Sequence, residues 1–478
     1  MSIESLKVNI VDEMFMRSDK EAPAVIDKGR ICTYGALNDH SASIAKTIKG
    51  ALTFKGVPRV GLRCQDGMEY VALSLGILRS GCCLVPIAPE LTESERDNLV
   101  STIQLDAVVH HQIASDDQIS FSIEELPGGR VSADFDNLNP AFIRFSSGTT
   151  GASKGIVLSH KTLLDRIETA NRGLKIISQD RVLWVLSMSH HYAVSIMLYL
   201  WNGAAIVLPE SYLPGDLLAA ANRDQATVIY AAPCHFIFLT SGENTEKFSW
   251  SSLRLAVSTT APLLQETAER FTATYGVRPL QALGVMEVGL PFINNSNDGL
   301  RDSSVGRPLP GFDVEIRDTA GVAVGAGIQG ELFVKGPGMF DAYIDPWQLR
   351  EQVTAPDGWF TTGDIARMDS AGYVYLLGRS RTIINVGGMK FFPEEVERCI
   401  GTVPGVLESR VIATHHPTFG SVPIAEIVKA DKEDVQIKTL LMHCRKHLAR
   451  YKVPIDFRFV SSIPKTPTGK IKRTTSSL

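Results

Sequence analysis

Short apolar runs alternate with amphipathic segments through the first three quarters of this chain, and that alternation limits the possible folds more than any other feature. Val182–Leu186, Ala205–Leu208, Thr227–Tyr230 and Leu253–Val257 read as strands. Between such runs lie helical stretches, the clearest starting at Pro262 and stopping before Gly276, with Leu264, Ala268, Phe271 and Tyr275 on one face. The pattern predicts an α/β architecture in which helices cover sheets. After about Gly321 it shortens to strands and turns (Gly330–Gly336, Ile365–Met368, a turn from Asp369 to Gly372, Tyr373–Leu377), as in a β-rich subdomain. Beyond Gly378 a compact segment holds a helix from Pro393, strands near Val411 and Ile424, a helix around Leu440–Leu448 and a strand at Phe457–Val460. At 478 residues and 44% apolar content the chain exceeds the ~250–300 residues at which single cores stop growing. The expected fold is therefore α/β: a large N-terminal domain (1–378) of stacked α/β subdomains plus a β-rich subdomain, and a small C-terminal α+β domain (379–478).

Charge sets aside some classes of function. With 48 basic against 52 acidic residues the net charge is −4, so nothing at whole-chain level calls for a nucleic-acid or membrane partner, and a phosphate ligand needs a local site. The greasiest stretch, Ile196–Leu208, is broken by Asn202 and Gly203 and is shorter than the ~20 residues of a membrane span. The first residues carry acids and no apolar core of signal-peptide length. Seven scattered cysteines, without paired spacing or a nearby histidine cluster, fit reduced thiols in a cytoplasmic protein better than zinc or disulfides.

The most informative string is Ser146–Gly155, with Ser146, Ser147, Gly148, Thr149, Thr150, Gly151 and Lys154 between the apolar runs Ala141–Phe145 and Ile156–Leu158. Consecutive hydroxyls, approachable backbone N–H groups and one ammonium suit a polyphosphate. It departs from a Walker A loop, because Ser153 precedes Lys154 and Gly155 follows it.

Here the chain resembles the adenylate-forming superfamily, which contains acyl- and aryl-CoA ligases, peptide-synthetase adenylation domains and firefly luciferase. Tyr34–Asn38 and Leu78–Pro89 resemble its N-terminal motifs, Ser146–Gly155 its phosphate loop, Gly330–Leu332 and Thr362–Asp364 its mid-chain motifs, and Pro464–Lys470 its C-terminal lysine motif. Singly each string is weak; in this order they are specific, and they span nearly the whole chain.

The resemblance implies roles by position. Asp364 would accept bonds from both ribose hydroxyls, two acceptor oxygens matching a vicinal diol, and Arg379 would touch ribose and phosphate. Alone, the two also fit a turn-capping acid and a solvated basic patch. Glu287, in Gln281–Gly289, would hold Mg²⁺ on the ATP phosphates, with Gly284 and Ala261 at the nucleotide. Leu283 replaces the usual adenine-stacking aromatic, and Met286 replaces a threonine. His190 corresponds to a gating histidine beside the acyl carboxylate, although a histidine in an apolar stretch is also at home in a core. Tyr192, Ser195, Ser258, Val285 and Leu290 fall at the acyl pocket, and Gly387 and Gly388 on the path of a pantetheine thiol. Arg381 stands at the family's hinge position, where Asp or Lys is usual. Lys470, after the Pro/Gly loop Thr466–Gly469, would reach into the cleft from a mobile C-terminal domain.

The implied activity is ATP-dependent conversion of a carboxylic acid to acyl-AMP with release of pyrophosphate, then transfer to the thiol of coenzyme A, with Lys470, His190 and Glu287 as catalytic residues. Two alternatives stay open: loading of a carrier-protein pantetheine, and a degenerate nucleotide-binding regulator. Val285, Val288, Leu290 and Ser258–Pro262 are apolar or small and offer no carboxylate to an amino group, which disfavours an α-amino acid and favours an aryl or medium-sized acyl acid.

Overall fold

The apolar runs become the inner strands of two large sheets. The computed structural model describes residues 8–53, 56–113, 119–129, 131–145, 155–191, 195–240, 249–296, 301–379, 382, 384–386, 389–416, 420–430, 435–466 and 470–473. Ala205–Leu208, Val228–Ala231 and Leu255–Ser258 are buried at every position, as strands covered on both faces must be. They belong to a nine-stranded sheet ordered Arg307–Pro308, Gly289–Asn294, Leu280–Val285, Leu255–Ser258, Val228–Ala231, Arg181–Trp184, Ala205–Leu208, Pro23–Asp27, Arg30–Thr33. Its middle pairs are parallel and its two ends antiparallel. An eight-stranded sheet runs Trp347–Leu349, Ala342–Ile344, Gly155–Ser159, Pro140–Phe145, Cys83–Pro86, Arg59–Arg63, Ala107–Gln112, Ser120–Glu125. One core reaches from Phe142 of this sheet to Trp184 of the other. The helix Met68–Arg79 lies within that core and is buried from Tyr70 to Leu78, matching its lack of a polar face.

Behind the strand Gly155–Ser159 starts the helix His160–Leu174, capped where Ser159 Oγ accepts from Thr162 N at 3.1 Å. Its inward face carries Arg166, which is 4% exposed. A four-stranded antiparallel sheet, Asp313–Arg317, Gln329–Lys335, Phe360–Met368, Val374–Arg379, forms the β-rich part. The C-terminal segment has its own sheet, with Gly420–Lys429 between Val406–His416 and Asp456–Phe459, and its own core around Val396, Val411, Ile427, Leu440 and Phe457. This smaller lobe meets the larger one where Arg398 Nη1 donates to Leu376 O (3.2 Å) and where Phe392 covers Gly378. A Cβ at 378 would lie 2.6 Å from the Phe392 ring, so only glycine allows that approach.

Two expectations about elements need correcting. The helix placed from Pro262 runs from Gln265 to Tyr275: Leu264 before it has extended dihedrals (φ −67°, ψ 140°), and Leu263 is buried with its N–H donated to Gln281 Oε1 at 3.1 Å. The strands read at Val182–Leu186 and Leu253–Val257 are Arg181–Trp184 and Leu255–Ser258. No helix among the described residues is long and apolar enough to cross a membrane, and all seven cysteines are free thiols.

Candidate active site

Glu287 lies in the turn between Leu280–Val285 and Gly289–Asn294, and three groups from distant parts of the chain fix it there. Phe340 N donates to its carbonyl at 2.7 Å, and Tyr343 Oη donates to its Oε1 at 2.9 Å. Burial, then the adjacent Glu287, push the Tyr343 phenol well above its ordinary pKa, so it remains a donor. Arg166 holds the turn from below, with Nη2 on Met286 O at 2.9 Å and Nε on Gly338 O at 2.6 Å. Gly338 has φ +72°, and a Cβ there would lie 2.9 Å from Arg166 N, so glycine lets the helix backbone at Arg166 pack this close.

Asp364 stands on Phe360–Met368 opposite Arg379, the last residue of Val374–Arg379. Arg379 Nε contacts Asp364 Oδ1 at 2.7 Å and its Nη1 donates to Thr362 O at 2.8 Å. Asp364 Oδ2 is buried and accepts no hydrogen bond among the described residues. Burial pushes this carboxyl up from its usual range, while Arg379, Thr362 and Lys470 draw it down. Lys470 belongs to a short hairpin of the smaller lobe: Thr466 N donates to Lys470 O at 2.7 Å, Lys470 N donates to Thr466 Oγ1 at 3.1 Å, and Lys465 pairs with Ile471. Its ammonium comes within electrostatic reach of Asp364, Glu287, Arg379 and Arg144. Solvent reaches it, yet the walls of the cleft remove enough water to lower its pKa. Two lobes thus meet over two carboxylates.

On the other side of the cleft His190 lies in a short helix, Met188–His191, and its Nε2 is 3.2 Å from Glu90 Oε1. Asp66 steadies the start of that helix, accepting from Met188 N at 2.9 Å and from Tyr212 Oη at 3.0 Å. Burial lowers the pKa of His190 and of His191, against the opposing pull of Glu90 on the former. Ser195, Ser258, Val285 and Leu290 are buried, and Ser258 Oγ has no hydrogen-bond partner among the described residues. Ala261 and Gly284 are exposed, whereas Leu283 and Met286 pack against the large core. Ser146, Ser147, Gly148, Thr149, Thr150, Gly151, Lys154, Tyr192, Arg381, Gly387 and Gly388 lie outside the described residues.

Sequence reasoning missed Glu90, Arg144, Arg166 and Tyr343. Arg144 alone had a local signal: it is a charge inside the apolar run Ala141–Phe145. The others are recognisable only by what the fold brings to them.

A large α/β lobe of stacked sheets with a small lobe closing over it is the build of the adenylate-forming enzymes. The family described as AMP-binding enzyme matches residues 13–344, and the AMP-binding enzyme C-terminal domain matches 395–470. The chain belongs to the AMP-binding enzyme family. It is 28% identical to the long-chain-fatty-acid–CoA ligase of Yersinia pestis over 95% of this chain and 91% of that one. To the feruloyl-CoA synthase of an Amycolatopsis species it is 27% identical over 95% of each. The crystal structure of ATP-bound MatB from Rhodopseudomonas palustris superposes with a TM-score of 0.85 at 25% identity, covering 97% of both chains.

Proposed function

We propose that this chain is an AMP-forming acid–thiol ligase, which activates a carboxylic acid with ATP to acyl-AMP, releases pyrophosphate and passes the acyl group to the thiol of coenzyme A. A carboxylate is a poor electrophile because its leaving group would be oxide; the mixed anhydride with AMP removes that obstacle. The observation that carries the reading is Asp364 Oδ2, a buried acceptor with no bond among the described residues, in the cleft that Lys470 and Glu287 share. A ribose diol supplies the donors it lacks. Ser146–Gly151 and Lys154 are the proposed triphosphate cradle, Arg379 a ribose and phosphate contact, and Lys470 the cation that meets charge growing on the α-phosphate. His190, Tyr192, Ser195, Ser258, Val285 and Leu290 are assigned to the acyl pocket, and Gly387 and Gly388 to the thiol path.

Among the described residues no group of three or more Asp, Glu, His or Cys side chains could hold a metal ion. Glu287, with one oxygen on Tyr343, fits a Mg²⁺ that arrives on phosphate oxygens rather than a resident ion. Such an ion would neutralise phosphate charge. The lobe boundary is placed at 379, the acid is expected to be aryl or medium-sized acyl, and the cytoplasm is the proposed compartment.

ATP–pyrophosphate exchange, run with benzoate, ferulate, octanoate and palmitate, tests the reading. Exchange that depends on one of these acids is expected. Nucleotide binding without exchange for any acid would instead favour a regulator that has kept the fold, and thioester formation only on a carrier protein would reassign the acceptor.

A further inference from the structure

Arg144 is the only charged residue of the strand Pro140–Phe145 and stands two positions ahead of Ser146. Side chains alternate along a strand. Ile143 packs into the core against Val157 and Ile344, whereas Phe142 enters the core shared with the nine-stranded sheet, so Arg144 takes the Phe142 side and looks toward the cleft. The groups near it include Glu287, Tyr230, Arg166, His190, His191 and Lys470. Among the described residues it makes no hydrogen bond and no ion pair.

The buried arginines of the large lobe, by contrast, have direct partners. Arg59 is paired with Asp106 through Nε at 3.0 Å, and Arg166 is satisfied by two carbonyls. Glu287, the carboxylate near Arg144, acts on it through charge but makes no direct ion pair with it, and one of its oxygens is held by Tyr343. Arg144 is half-buried, and burial draws its pKa down to about 10 with Tyr230 and Glu287 opposing, yet none of the described residues pairs with it directly. A ligand anion would complete it. On the function proposed above, Asp364 and Arg379 belong to the ribose side of the cleft and His190 to the acyl side, and Tyr230 and His191 lie with His190 around Arg144.

From this placement we infer that Arg144 receives the carboxylate of the incoming acid, in its ionised form, and holds it for attack on the α-phosphate. The inference rests on the function proposed above. In the step itself a carboxylate oxygen forms the bond to the α-phosphorus, the bond from that phosphorus to the bridging oxygen breaks, and pyrophosphate leaves with the electron pair. The carboxylate charge that Arg144 recognised is gone in the acyl-AMP, whose carbonyl is neutral. Arg144 therefore contributes to acid capture and not to thiol attack.

The test uses the full chain as Arg144→Gln and Arg144→Lys, with whichever of benzoate, ferulate, octanoate and palmitate supports the fastest exchange. Arg144→Gln should raise the KM for that acid about tenfold or more, as loss of a charge-assisted contact does, with the KM for ATP unmoved. Arg144→Lys should recover part of the loss, and both variants should convert prepared acyl-AMP to thioester at the parental rate. A raised KM for ATP with the acid's KM unmoved would assign Arg144 to the triphosphate and overturn the inference. An unchanged KM for both substrates, or equal damage to both, would overturn it as well. Absence of exchange by the unsubstituted protein with every acid would overturn this inference and the parent reading together.

Discussion

At the scale of single residues, the candidate site is built from side chains whose partners lie far away in sequence. His190 and Glu90 are separated by 100 positions, yet their Nε2–Oε1 distance is 3.2 Å. Burial lowers the pKa of His190; Glu90 and Asp66 oppose that shift, and Arg144 reinforces it, as His190 and Arg144 do for His191. In Glu90→Gln the opposing charge is lost while an acceptor oxygen remains, so the pKa of His190 must fall further. If neutral His190 is the working form, the low-pH limb of kcat/KM for pyrophosphate exchange should move to lower pH. The move will be small, because Glu90 is 52% exposed and water screens the pair. A limb that stays in place, or rises, would show that Glu90 does not act on the reaction through His190. Asp364 is the opposite case: the resemblance at Thr362–Asp364 singled it out, but the oxygen that suits it to the proposed ribose contact emerges only once Arg379 has claimed the other.

Elements show why some of this chain could be read and some could not. Val228–Ala231 is apolar at every position and became a strand because no polar face offers an alternative. The first turn expected at Pro262 failed for a tertiary reason, the Gln281 amide oxygen on Leu263 N, to which local helix punctuation is blind. The sheet orders were out of reach in the same way, since neighbours such as Pro23–Asp27 and Ala205–Leu208 are far apart in sequence. Helix His160–Leu174 is the element on which the site depends most, because Arg166 ties two carbonyls of separate segments beneath Glu287. Arg166→Leu should leave both carbonyls without a charged donor, at a cost of about 3 kcal/mol or more at ~1.5 kcal/mol each. The expected result is a lower urea midpoint together with slower exchange, and Arg166→Lys should fall between. Parental stability and exchange in the leucine variant would show that the turn carrying Glu287 is held by other means.

For the whole molecule, the arrangement of lobes sets which half of the reaction is ready. With Lys470 facing Asp364 and Glu287, this arrangement suits acid activation. Lys470→Ala should abolish pyrophosphate exchange, a loss of the ~2.7–4 kcal/mol typical of deleting one preorganised donor, yet still make thioester from prepared acyl-AMP at near the parental rate. Gly388→Trp should do the reverse by obstructing the thiol path. Equal damage to both steps in the lysine variant would mean that Lys470 serves the fold or the nucleotide in general. The hairpin that bears this lysine is also anchored behind it: Arg473 bridges Glu394 (3.1 Å) and Glu397 (2.5 Å), and Arg410 Nη1 donates to Lys472 O at 2.6 Å. A lysine on a loose tail would have to surrender its chain entropy in every catalytic cycle. Anchored in this way, it loses that freedom once, when the lobe folds, and each turnover needs to orient only a single rigid body.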